Sequence, residues 1–206
     1  MRSLQAWPLI LTLLAACGST VPSLSRAERE RLPLDGRQEI FDAENDLVIA
    51  LNRVDLARDQ RSSVRAAEDG LDEVQKSCER RLTAIPAQAG NIPALRKAIR
   101  TERDYLEARG EVASAEVAVA QQEVHIARAR LDLVKQRQLV RIGKAPLASL
   151  KAFEQAIDDQ EAKGKQVRST ALDLRTKAQG LLDLWKYSQA EYAGQTGDWD
   201  SGIWLQ

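Results

Sequence analysis

Two short interruptions, PAQAGNIP at residues 86–93 and GKAP at residues 143–146, contain the only prolines between residues 36 and 193. Proline lacks an amide N–H and clashes with the preceding turn, so it ends or restarts a helix. The sequence around these breaks is rich in Ala, Leu, Glu, Arg, Lys and Gln, which favour helix. We therefore predict three helices, at residues 36–85, 94–142 and 147–193. Each would be ~70–75 Å long at 1.5 Å per residue.

Apolar residues recur every seven positions in the first and third predicted helices, as in the seam of a coiled coil. In the third helix the repeat comprises Leu150, Ile157, Gly164, Ala171, Ala178, Trp185 and Tyr192, followed three residues later by Phe153, Val167, Leu174 and Leu181. In the first helix it comprises Ala43, Ala50, Ala57, Val64, Leu71, Cys78 and Ile85. Because Cys78 lies in this seam, we expect a buried thiol; the alternative for an unpaired cysteine is an intermolecular disulfide.

The middle predicted helix carries two apolar stripes and can therefore face two partners. One stripe comprises Ala113, Val117, Ala120, Val124, Ala127, Leu131 and Val134. The other comprises Tyr105, Val112, Val119, Ile126, Leu133 and Val140. Helices of matched length joined by short loops pack up-down-up. The predicted fold class is all-α: an elongated antiparallel three-helix bundle or coiled coil over residues 35–193, with a disordered N-terminal tether and a short C-terminal tail.

Folding the three helices back on one another predicts which residues lie at the same level. Phe41 and Phe153 fall together near the first end, and we expect their rings to touch. Gly70, Gly110 and Gly180 also align, which predicts either a bend or a close-packed waist, or reflects chance. On the third helix, charged residues four apart have the orientation that forms favourable pairs on a solvated face. These pairs are Asp159 with Lys163, Glu161 with Lys165, and Asp173 with Lys177.

The chain begins with Arg2, an apolar run at residues 7–16, and the stretch Leu14-Ala15-Ala16-Cys17. This run is shorter than the roughly 20 residues that cross a bilayer, and it is typical of a secretory signal. The stretch resembles the lipobox of bacterial lipoproteins. That resemblance implies a signal peptide at residues 1–16, cleavage between Ala16 and Cys17, acylation of Cys17 and a lipidated tether at residues 17–34. With no aspartate after the cysteine, it further implies the outer membrane. Of the two faces of that membrane we expect the periplasmic one, with the cell surface as the alternative.

Several chemistries lack residues in a suitable pattern. The 30 basic and 30 acidic residues balance, which gives no electrostatic footprint for nucleic acid. The single histidine, His125, lies outside both stripes and is expected on the surface, so no cluster has metal-ligand spacing. No serine has a histidine partner, and no Gly-rich phosphate loop follows a strand. We predict a non-enzymatic protein without catalytic residues, metal or cofactor.

The tail at residues 194–206, GQTGDWDSGIWLQ, begins with glycines that stop the last helix. It carries four large apolar residues as candidate partner-binding side chains: Trp199, Ile203, Trp204 and Leu205. Aromatic side chains are frequent anchors of protein interfaces. The alternative is that the tail folds back over the bundle end near Tyr105 and Trp185. Because the chain runs up, down and up, the tail lies ~70 Å from the anchor, and a partner would bind at that distal end.

The run RQLVRIGKAPLASLKAFEQAIDDQEAK, continuing to LLDLWKYSQAEYAGQTGDWD, resembles the helical hairpin of TolC-type outer-membrane channel proteins. Gly143, Ser149 and Leu150 match the turn, and residues 197–199 match the Gly-Trp ending. The likeness covers about 70 residues, and the membrane strands of that family are missing. It implies at most a periplasmic adaptor linked to envelope transport.

Three functional hypotheses follow from these patterns. The first is a lipid-anchored helical scaffold or accessory subunit of a cell-envelope assembly, with an envelope protein bound at the distal end. The second is a transport-linked adaptor or channel component, which would self-associate. The third is a lipid or small-ligand carrier with a cavity between its helices. The many small alanines in the seams argue against the third, because they favour close helix approach.

Overall fold

The computed structural model describes residues 23–84 and 90–197, excluding the side chains of Val74, Cys78, Arg81 and Leu82. The chain is an all-α helical bundle, as predicted. The predicted burial of Cys78 concerns a side chain outside the described part. The elements in chain order are α1 (Arg26–Arg31), α2 (Leu34–Thr83), α3 (Ile92–Arg141), a 3-10 turn (Leu147–Ser149) and α4 (Leu150–Thr196).

Each long helix is displaced from its predicted bounds by a local backbone feature. α2 begins directly after Pro33, whose carbonyl accepts the first helical hydrogen bond from the N–H of Arg37 at 3.1 Å. α3 includes Pro93 in its first turn, where its missing N–H costs no hydrogen bond. α4 continues through Gly194 and ends at Gly197, whose φ of 67° is the left-handed conformation that favours glycine at a helix end.

The helical part of the chain starts earlier than the predicted tether allows. Ser25 caps α1 through a capping box, in which its side chain accepts from the N–H of Glu28 and the Glu28 carboxylate accepts from the N–H of Ser25. Leu32, directly after α1, is buried. Arg29 also pairs with Glu44 of α2 at 2.7 Å. Residues 26–34 are therefore part of the folded body and not of a free tether.

α3 lies between α2 and α4 and packs along the length of both. The two stripes predicted on α3 account for this position, since one faces each neighbour. The described seam residues of α2 are all buried: Ala43, Ala50, Ala57, Val64 and Leu71. On α4 the seam is buried from its middle to its distal end, at Gly164, Ala171, Ala178, Trp185 and Tyr192.

Within the described ranges, α2 and α4 share no extended packing interface. The three long helices therefore form an open layer, with α3 in the centre and a helix at each edge. The predicted contact between Phe41 and Phe153 is wrong for this reason. Phe41 is 64% exposed, and the one ring pair in the described part joins Tyr105 to Trp185.

Charged side chains join the helices along both interfaces. Arg53 of α2 pairs with Glu123 of α3 at 3.0 Å, and Arg130 of α3 pairs with Glu161 of α4 at 2.7 Å. Lys177 of α4 pairs with Glu111 of α3 at 2.8 Å, and this hydrogen bond raises the pKa of Lys177. Glu161 and Lys177 thus pair across the helix interface and not with the residues four positions away. These ion pairs between helices reinforce the antiparallel register of neighbouring helices.

The aligned glycines do not form a close-packed waist. A Cβ atom added at Gly70 or at Gly180 would meet nothing within 4 Å, and one at Gly110 would meet only the flexible carboxylate of Glu68. On α4, Gly164 is the tight position, since a Cβ there would lie 3.1 Å from Cδ1 of Ile126 on α3. The closest glycine-mediated approach of α3 to α4 is therefore at Gly164.

Gly164→Leu and Gly180→Leu are expected to change stability in opposite directions. The leucine at residue 164 has no room beside Ile126, and we expect a loss of about 1–3 kcal/mol in the free energy of unfolding. The leucine at residue 180 enters open space and gains helix propensity, which is worth up to about 1 kcal/mol. Chemical denaturation of both variants measures the difference. Equal effects at the two positions would contradict the described contact between α3 and α4.

Candidate functional site

The ends of all three long helices meet at the distal end of the layer, where α2 ends, α3 begins and α4 ends. Gly197 terminates α4 there, its N–H donating to the carbonyl of Ala193 at 2.8 Å. α4 therefore ends at the end of the layer where the candidate partner-binding tail was predicted to begin. The candidate tail residues themselves, Trp199, Ile203, Trp204 and Leu205, lie outside the described residues. So do Ala16 and Cys17 of the predicted cleavage and acylation site.

The distal end is closed by a small apolar cluster. Leu95, Ala98 and Ile99 of α3 pack with Tyr192 of α4, and all four side chains are buried. Ser188, one turn before Tyr192, is also buried and donates from its hydroxyl to the carbonyl of Leu184 at 3.0 Å. This cluster joins α3 to α4 immediately below the start of the tail.

Tyr105 and Trp185 lie further along the same interface and stack on each other. Their ring centroids are 5.5 Å apart, with an angle of 12° between the ring planes. The guanidinium of Arg109 lies 5.8 Å from the Tyr105 centroid, within the range of a cation–π contact. The alternative prediction from the sequence was a tail that folds back and packs near these two rings. In the structure each already has the other as its packing partner.

Glu102 is the one buried carboxylate side chain in the described part of the chain, at 1% exposure. Its Oε2 atom has no hydrogen-bond partner there. Burial without a compensating charge disfavours the ionised form, and it raises the pKa of Glu102 from 4.5 to about 7. Sequence reasoning missed this residue because a glutamate in a charged helix resembles any solvated glutamate.

A shallow groove runs along α3 between the two edge helices. Two adjoining sections have volumes of about 500 and 600 Å³ and share Arg53, Glu123 and Arg168. Glu123 lies between the two arginines, at 3.0 Å from Arg53 and 3.9 Å from Arg168. The first section has seven charged lining residues: Asp46, Arg53, Glu123, Arg130, Glu161, Lys165 and Arg168. Ligand pockets are predominantly apolar, so this lining suits solvent and ion pairs better than a lipid.

His125 is exposed on α3, as predicted. Across residues 23–84 and 90–197, no group of three or more His, Cys, Asp or Glu side chains could hold a metal ion. Over the same residues, every helix is too short or too polar to cross a bilayer.

The fold defines the class of protein as an elongated, open layer of three antiparallel helices. No protein-family model matches the chain, and comparison with curated proteins and with solved structures likewise finds no match.

Proposed function

We propose that the chain is a lipoprotein of the bacterial outer membrane that acts as a non-catalytic scaffold or accessory subunit of a cell-envelope assembly. The observation that carries the proposal is the path of the chain. It enters the layer at one end and leaves it at Gly197, after three antiparallel helices of 50, 50 and 47 residues. Helices of this length separate the two ends by ~70–75 Å.

The predicted anchor and the predicted partner-binding tail are thus attached to opposite ends of a rod. Five residues lie between Cys17 and Ser23, where the described part begins, and this stretch spans at most about 20 Å. Acyl chains on Cys17 would therefore hold the first end of the layer close to the membrane. The distal end would then project into the periplasm, where the tail can reach a second envelope protein.

A transport-linked, self-associating component is the second candidate. The observation that favours it is the open layer, because α2 and α4 both pack on α3 and share no extended interface with each other within the described residues. Edge helices with a free side can pack against helices of another chain. A carrier of lipid or small ligands has less support, because the groove between the helices is lined mainly by charged residues.

Photo-crosslinking in cells tests the proposal, with a photoreactive phenylalanine analogue in place of Trp204. We expect an adduct with another envelope protein when the chain carries Cys17, together with acylation of Cys17 by mass spectrometry. In the Cys17→Ser variant we expect the chain to leave the membrane fraction and the adduct to be lost. Cys78→Ser is the matched control and should retain both properties.

Each of the other outcomes contradicts one part of the proposal. Adducts only between copies of the chain would favour the transport-linked component. Adducts only within one chain would make the tail a cap for the bundle end. A Cys17→Ser variant that stays acylated and membrane-bound would overturn the anchor.

A further inference from the structure

The first half of α2 exposes an unusual number of large apolar side chains. Six of the ten exposed large hydrophobic residues in the described part lie between residues 34 and 56: Leu34, Phe41, Val48, Ile49, Leu51 and Leu56. Single exposed hydrophobic residues need no explanation, but six on one half of a helix indicate an interaction surface. We call these six residues the outer face of α2.

The outer face lies on the opposite side of α2 from its contact with α3. The buried hydrophobic residues of this half of α2 are Ile40, Ala43, Ala50, Val54 and Ala57. Leu34, Phe41 and Val48 fall between them at positions that point away from α3, given the 3.6-residue turn. α2 is thus apolar on two sides over this half, and the layer covers one of them.

The outer face has the order of a coiled-coil seam. Leu34, Phe41 and Val48 are seven residues apart and occupy d positions of a heptad. The interleaved a positions, four residues after each, are held by Gln38, Asn45 and Asn52, which are all exposed. The next d and a positions are Asp55 and Asp59, so the seam covers residues 34–52 and ends after about five turns of helix. A seam with defined ends predicts a partner helix of similar length.

We propose that the outer face of α2 binds the same face of a second copy of this chain, with the two α2 helices parallel and in register. In that arrangement each asparagine meets its own counterpart, and an amide can both donate to and accept from another amide. A polar a position specifies register and oligomeric state in this way. In an antiparallel pair the amides would face Phe41 and Val48, and a polar group buried against hydrocarbon loses its hydrogen bonds.

The residues beside the seam suit the same arrangement. In a parallel pair, each g position lies near the e position five residues later on the other helix. This places Arg37 of one copy near Asp42 of the other, an attractive pair, and Leu51 near Leu56, an apolar pair. Glu44, at the intervening g position, is already paired with Arg29 of its own chain. α1, held by that ion pair, borders the outer face and leaves Phe41 exposed.

The charge of this half of α2 argues against a lipid surface as the occupant. Residues 34–59 contain seven acidic residues: Asp35, Glu39, Asp42, Glu44, Asp46, Asp55 and Asp59. They contain three basic residues: Arg37, Arg53 and Arg58. Helices that lie on membranes are rich in Lys and Arg on their polar side, because lipid surfaces are anionic. The inference does not require the lipid anchor, although acylation of Cys17 would hold two copies with their α2 helices in the same direction.

Cysteine crosslinking of the full chain in cells tests the inference, in a Cys78→Ala background. We expect Leu34→Cys and Val48→Cys each to give a disulfide-linked dimer on mild oxidation, since each position meets itself in the parallel pair. A disulfide requires Cα atoms within about 7 Å, so random collisions between other faces of two chains should rarely form one. Leu172→Cys on α4, 63% exposed and outside this face, is the matched control and should stay monomeric.

Adding Phe41→Asp to the Val48→Cys variant should abolish the dimer, because two carboxylates would then meet in the seam. Phe41 is exposed in the layer, so the helical content of this variant should be unchanged in circular dichroism. A dimer from one of the two positions alone would indicate an antiparallel pair and overturn the parallel register. Crosslinks to a different protein, or no more dimer than Leu172→Cys gives, would overturn self-association. The Cys78→Ala parent shows any disulfide that an unmodified Cys17 forms by itself, and membrane fractionation of the same cells reports separately whether Cys17 is acylated.

Discussion

Replacing Tyr192 by alanine is expected to lower the free energy of unfolding by about 3–5 kcal/mol, the range for truncating a large buried aromatic side chain. Tyr192 is 1% exposed and packs with Leu95, Ala98 and Ile99. Its removal leaves a cavity between α3 and α4 at the distal end. Chemical denaturation measures the loss, and hydrogen exchange shows which part of the layer opens.

Tyr187→Ala is the matched control for this prediction. Tyr187 is the same residue type on the same helix, but it is 66% exposed, and its ring contacts Lys97 at 5.7 Å. An exposed cation–π contact is worth about 0.5–1 kcal/mol. A loss on Tyr187→Ala equal to that on Tyr192→Ala would contradict the assignment of Tyr192 to the buried cluster. Exchange that increases only near the distal end would show that this end opens as a separate unit.

Replacing Glu102 by glutamine is expected to remove most of the pH dependence of stability between about pH 4.5 and pH 7. The carboxyl has its ordinary pKa of 4.5 in the unfolded chain and a pKa of about 7 in the folded chain. Between these values the folded state binds more protons than the unfolded state. The contribution of Glu102 to the free energy of unfolding is therefore fully present below pH 4.5. It is lost as the pH rises through about 7.

The expected fall is about 3.5 kcal/mol, from pKa values of 4.5 and about 7 at roughly 1.4 kcal/mol per pKa unit. Burial also raises the pKa of Asp132, so a smaller slope of the same sign should remain in the variant. Denaturation at a series of pH values measures the slope. Glu107→Gln, on the same helix but at an exposed position, is the matched control. A native protein whose stability is constant across this window would contradict the buried, unpaired state of Glu102.

Helix positions and the residues of the seams could be predicted from the sequence because both depend on local patterns. Prolines mark the breaks, and a seven-residue repeat identifies one face of a helix whatever that face contacts. The seam of α2 was predicted residue by residue, and its described members are buried. The two stripes of α3 likewise predicted a helix with two neighbours. The capping box of Ser25 and Glu28 was also readable, as the pattern S-x-x-E, and it would have predicted α1.

Which faces meet could not be predicted in the same way, because that depends on the arrangement of whole helices. The contact of Phe41 with Phe153 assumed a closed bundle, whereas α2 turns Phe41 outward. Glu161 and Lys177 had partners available four residues away and instead pair with α3, because the antiparallel register brings opposite charges closer. Glu102 differs from its exposed neighbours only in what packs around it. Its raised pKa is therefore a tertiary property.

The central position of α3 has a mechanical consequence. A chain held at its first end and pulled from Gly197 would transmit force along the helix axes, through the interfaces of α3 with α2 and α4. Such a load acts in shear on both interfaces, so the apolar seams and the ion pairs along them resist together. A load that separated the helices from one end would instead break these seams and ion pairs one after another. Forced unfolding is governed by the unfolding rate, and a layer loaded in shear is suited to stay folded under tension.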